Sequence, residues 1–195
     1  MSARSRFVDT QQSVCMKTRG HSSGQRGFTM VELIAVIIII GIMAAFAMPR
    51  FFERKTFDAR NFADQSRAML RHAQKIAIAQ NRSVFVRLNG ASVALCFDAA
   101  CSAGNLVIPP SGSNSGASAT VSNCAGVARW ECEGVPNGIT YIQSPNYATF
   151  SFNALGRPCA PSDGLVSTFA RLVVTVRGDG VDYPIAVETE TGYVH

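Results

Sequence analysis

The sequence predicts an α+β fold, and three observations carry that assignment. From Phe28 to Met48 the chain is an almost unbroken apolar run. From Phe51 to Asn81 neither Pro nor Gly interrupts an amphipathic helical pattern. Beyond Arg82 only short β-type segments follow, separated by Gly, Asn and Pro, and a long helix followed by strands alone is an α+β arrangement.

The apolar run is long enough to span a bilayer, which needs about 20 residues. Its one charge is Glu32. An unpaired acid at the centre of a membrane costs roughly 2.5 to 3.5 kcal/mol on the insertion scale, so Glu32 either sits shallow or meets a base. Pro49 closes the run and should kink the helix as it enters the next segment. In that segment Phe62, Met69 and Ile76 recur every seven residues with Ser66, Ala73 and Gln80 between them. One face is therefore apolar or small and should cover a sheet, while Arg60, Asp64, Arg67, Arg71 and Lys75 line the other. A helix from Phe28 to about residue 81 would be about 80 Å long at 1.5 Å per residue.

The β-rich remainder opens with a hairpin, Val84 to Leu88 and Ser92 to Phe97, around a tight turn at Asn89 and Gly90. Residues 99 to 126 are rich in Ser, Gly, Ala and Asn and read as a long loop with at most short strands. Further strands are expected at Val127 to Glu131, Ile139 to Gln143 and Ala148 to Phe152. A turn at Asn153 to Pro158 leads to a closing hairpin, Arg171 to Arg177 and Tyr183 to Glu188, with a last short strand near Tyr193.

The formal charge of +5 is unevenly spread. Before Phe28 stand five basic residues and one acid, leaving 13 basic and 12 acidic residues in the rest. The basicity is therefore mostly N-terminal, and it is weak ground for a nucleic-acid partner. Residues 50 to 82 are basic and residues 83 to 195 mildly acidic, which suits either a solvated helix face or contact between unlike surfaces.

Outside residues 1 to 27 there are five cysteines. In an oxidising compartment the simplest pairs are Cys96 with Cys101 and Cys124 with Cys132, leaving Cys159 as a free thiol, with Cys132 to Cys159 as a competing bridge. The spacings do not form Cys-x-x-Cys hooks, and His21, His72 and His195 are scattered, so neither a metal nor another cofactor is expected. No nucleophile motif is present, Gly178 to Gly180 is a turn without a following helix, and no enzymatic activity is expected. His72 falls on the polar side of the helix, where solvation is the default. Trp130 and Tyr141 read as alternating core residues before they read as a binding pair.

Arg26, Gly27, Phe28, Thr29, Met30, Val31 and Glu32, followed by the apolar run to Pro49, resemble the signal of type IV prepilins and type II secretion pseudopilins. The resemblance implies cleavage between Gly27 and Phe28 by a prepilin peptidase and N-methylation of Phe28. It also implies a type IV pilin-like fold, a long kinked helix on an antiparallel β-sheet head. The carboxylate of Glu32 would meet the freed amino group of a neighbouring subunit. Residues 1–27 are then a leader, with Met16 a suitable true start; 28–49 a transmembrane and filament-core helix; 50–82 the head's amphipathic helix; and 83–195 the head.

The implied partners are the peptidase, membrane lipid before assembly, an inner-membrane assembly platform, and other pilins or pseudopilins. The implied location is the inner membrane with a periplasmic head, then a filament. Charge alone leaves orientation nearly tied, so it rests on the resemblance and the cysteines. The hairpin after the helix and the Phe152-Asn153-Ala154-Leu155-Gly156 turn are similar to GspH/FimT-type minor subunits, including those of MSHA-type pili.

Two alternatives stand beside this reading. Ala45, Phe46 and Ala47 form an A-x-A pattern that an ordinary signal peptidase could cut, giving a soluble secreted domain. Some FimT-type pilins bind DNA through a Gly-Arg-x-x-Arg stretch. Here that place reads Gly192, Tyr193, Val194, His195 behind Glu188 and Glu190, so DNA is not an expected partner.

Overall fold

In a computed structural model of the chain, the described residues are 28–164 and 166–195, with the side chains of residues 46–53 also outside the description. The described residues divide into two units, one ending at Ile42 and the other running from Met43 to His195. The leader expected at residues 1–27, with Gly27, lies outside the described residues.

A single helix, α1 (Met30–Ala79), enters both units. In the first unit every described residue is exposed. In the second, Ala59, Phe62, Ala63, Ser66, Met69, Leu70, Ala73 and Ala77 are buried. The seven-residue recurrence holds for Phe62 and Met69 but not for Ile76, which is half-buried, or Gln80, which is exposed. An ideal helix drifts by about 20° per heptad, so the buried stripe moves off Ile76 and Gln80 and onto Leu70, Ala73 and Ala77. The helix ends where Asn81 takes φ of 50° and Arg82 N–H reaches back to the Ala77 carbonyl at 3.1 Å, a Schellman closure.

Two antiparallel sheets complete the second unit. One holds β1 (Val84–Leu88), β2 (Ser92–Cys96), β3 (Cys132–Gly134), β5 (Thr149–Phe152) and β6 (Pro158–Cys159) in the order β3-β2-β1-β5-β6. The other holds β4 (Thr140–Ser144), β7 (Leu172–Gly178) and β8 (Val181–Val187) in the order β4-β7-β8. Alternation puts Val84, Val86 and Leu88 of β1, Phe150 and Phe152 of β5, and Leu172, Val174 and Val176 of β7 into one core with the buried face of α1. Strand β2 is buried on both faces because Val93 and Leu95 join that core while Ala94 and Cys96 join a second one. The close approach of α1 to β7 requires Gly178, where a Cβ would lie 2.6 Å from the Ala59 Cβ.

Three expectations change. The first turn is wider than a two-residue Asn-Gly turn, since Leu88 pairs with Val93. Asn89 closes it by accepting the N–H groups of Ala91 and Ser92 on its side-chain oxygen. The strand expected at Val127 to Glu131 forms instead at Cys132–Gly134, because Ala125 and Gly126 take positive φ and carry the turn on past Val127. The long loop contains a short helix, α2 (Ser118–Asn123), held down by Glu133, which accepts from Thr120 Oγ1 at 2.7 Å. The closing hairpin turns on Asp179 and Gly180, both at positive φ as a type I′ turn demands.

Candidate processing and assembly site

Phe28 is 76% exposed and stands just ahead of the first turn of α1. Thr29 caps that turn: its Oγ1 accepts the Glu32 N–H at 3.2 Å, and its carbonyl accepts the Leu33 N–H at 3.1 Å. Glu32 is therefore the third helical residue and the acid of the first turn. A carboxylate there is favoured by the positive end of the helix dipole, whereas an amino group at the same pole is not. The signal for this arrangement was present as Thr-x-x-Glu before an apolar run, a capping-box spacing that gives Thr29 a role that sequence reasoning had missed.

From Phe28 to Ala45 the described side chains are exposed on all sides, and Glu32 is the only charged one among them. Side chains of the apolar helix are described as far as Ala45. Among the described residues no helix is long and apolar enough to cross a membrane. The backbone is helical through Ala45–Ala47 and Pro49, while the side-chain surroundings of the expected kink lie outside the described residues.

The head brings Cys96, Cys101, Cys124 and Cys132 together around one tryptophan. Cys96 is bonded to Cys101, with Cα atoms 5.1 Å apart, and Cys124 to Cys132, at 5.9 Å. Cys132 is thus not bridged to Cys159, which is a half-buried free thiol. Burial, and then the charge of Asp163, push that thiol's pKa up, away from a reactive thiolate. Trp130 sits in the disulfide cluster and donates its Nε1 hydrogen to the Leu95 carbonyl at 2.9 Å. Tyr141 belongs to the main core, where its hydroxyl accepts from Gly90 N–H and donates to the Ser92 carbonyl. Burial pushes its pKa up to about 12. The two aromatics therefore serve separate cores and do not form a pair.

His72 is not simply solvated. Its Nδ1 shares a hydrogen bond of 2.6 Å with Oε2 of Glu131, a side chain only 7% exposed. Position along the helix could not reveal this, because the partner arrives from the segment before β3. Among the described residues no group of three His, Cys, Asp or Glu side chains could hold a metal ion.

At the C-terminus, His195 is bound to Ala186 through both backbone groups. Arg171 and His195 both contact Glu188, and Arg157 pairs with Glu190. The basic groups there are matched by acids, which leaves little surplus charge for phosphates.

Residues 22–48 match the prokaryotic N-terminal methylation motif. The type IV narrow pilus major component PilA5 of Thermus thermophilus is 39% identical over 59 residues, covering 30% of this chain and 51% of that protein. The type IV major fimbrial protein FimA of Dichelobacter nodosus is 44% identical over 57 residues, covering 29% of this chain and 33% of that one. The match thus spans about half the length of the first relative and a third of the second.

Among solved structures, the type IV minor pilin FimU of Pseudomonas aeruginosa is similar with a TM-score of 0.48 at 15% identity, over 74% of this chain and 90% of that one. The minor pseudopilin EpsH from the type 2 secretion system of Vibrio cholerae gives 0.45 at 10% identity, over 71% and 94%.

Proposed function

We propose that this chain is a structural subunit, a minor pilin or pseudopilin, made as a prepilin and assembled into a filament. A prepilin peptidase cuts between Gly27 and Phe28 and methylates the new amino terminus. The helix from Phe28 to Pro49 anchors the subunit in the inner membrane with the head in the periplasm, then leaves lipid for the core of a type IV or MSHA-type pilus or a type II secretion pseudopilus. Its place is in assembly initiation or at the tip.

One observation carries this reading: a helix whose described side chains as far as Ala45 are apolar and exposed on every side, with one acid at its third position. A helix of that kind is satisfied by lipid or by like helices packed around it, and in either setting a lone carboxylate needs a counter-charge. The amino group of a neighbouring Phe28 supplies one of the right sign.

Glu32→Ala tests the role of the acid. Cleavage should proceed normally, while the share of the processed subunit recovered in sheared filaments drops severalfold. Undiminished incorporation would remove Glu32 from the assembly step.

A further inference from the structure

Between α1 and the Pro109–Ser115 loop lies a cleft of about 410 Å³. Its walls are apolar where Ala68, Met69, Pro109 and Pro110 meet, and it also exposes His72, Glu131 and Glu133. Glu131 lies just before β3 and Glu133 within it, and both line the cleft. Each of the two residues is 5% exposed.

The two acids differ in what remains free on them. Glu133 is engaged: its Oε1 accepts the Ser115 N–H at 2.8 Å, and its Oε2 accepts from Ser115 Oγ and Thr120 Oγ1. Glu131 gives Oε2 to His72, while among the described residues its Oε1 accepts no hydrogen bond. No Lys or Arg lines the cleft among those residues. Arg71, next to His72 on α1, is turned to the Val194 carbonyl at 3.0 Å. Two carboxylates and one histidine thus line a cleft that holds no cationic side chain among the described residues.

We propose that this cleft binds an alkylammonium group, with the apolar walls around its methylene stem and its charge on Glu131 Oε1. A guanidinium fits less well, since its fork engages both oxygens of a carboxylate and Oε2 is taken. A metal ion fits less well again, since among the described residues no three ligating side chains converge. A lysine of another protein and a free polyamine both carry such a stem; the recognising chemistry is the same, and this inference does not depend on filament assembly.

The test uses the full-length protein in dodecyl maltoside micelles, following the His72 ring by NMR while Nα-acetyl-lysine methylamide is added. Saturable shifts are expected with this probe and none with the norleucine analogue, which keeps the stem without the charge. Glu131→Gln should weaken binding by at least about tenfold. Ala68→Trp, at an exposed helix position on the cleft wall, should block binding while circular dichroism stays unchanged.

Spermidine titration and carbodiimide cross-linking in cells separate the two sources. Tighter spermidine binding without a cross-link identifies a free amine, and a bond from Glu131 to a lysine of another chain identifies a protein. The proposal is overturned if wild type shows no saturable shift, if both variants bind as wild type does, or if Ca²⁺ alone saturates the cleft and the ammonium probes do not.

Discussion

The Glu32 N–H donates to Thr29 Oγ1, so the acid offered for assembly and the cap that starts its helix belong to one turn. Thr29→Ala removes the cap, and losing such a residue costs about 1 kcal/mol. In micelles the amides of residues 30 to 33 should then exchange faster with solvent, while Thr29→Ser, which keeps the hydroxyl oxygen, should leave them protected. Equal protection in both variants would mean that the hydroxyl does not hold the turn.

Glu131 gives a pH dependence with a definite sign. Burial raises its carboxyl pKa above the ordinary 4.5, with His72 opposing the rise. Between the unfolded and the folded value the native state binds more protons, so this group's contribution falls as pH rises through that window and stays low above it. The stability of wild type minus that of Glu131→Gln should therefore decrease from pH 4 upward in urea titrations. A difference that grows with pH would show the His72 contact outweighing the cost of burial.

The bridge between Cys124 and Cys132 closes a short loop around Trp130. Opening it with Cys124→Ala and Cys132→Ala together should cost about 2 to 3 kcal/mol and shift Trp130 fluorescence to the red. Cys159→Ser should change neither, because that thiol closes no loop. Loss of stability on changing Cys159 alone would argue for a different pairing.

What was legible in the sequence followed from strong local signals. The apolar run and the uninterrupted pattern to Asn81 place α1 within two residues of its observed end, and Gly178-Asp179-Gly180 marks its hairpin because positive φ favours such residues. Helix α2 was not legible, since Ser-Ala-Thr-Val-Ser-Asn has neither periodicity nor strong propensity and is held by Glu133 from another element. Val127 to Glu131 has strand composition, yet the turn at Ala125 and Gly126 shifts pairing to Cys132. At the candidate site Phe28 and Glu32 are singled out by the resemblance of Arg26 to Glu32 to a prepilin signal. The His72 contact and the cleft around Glu131 needed the tertiary arrangement, because their residues are joined only across the fold.

The N-terminus of the protein isolated from membranes or filaments, read by mass spectrometry, bears most directly on the proposed role. The expected result is a chain beginning at Phe28 with one methyl group on its amino nitrogen. A mature chain beginning at Met48, or one that still carries Gly27, would contradict it.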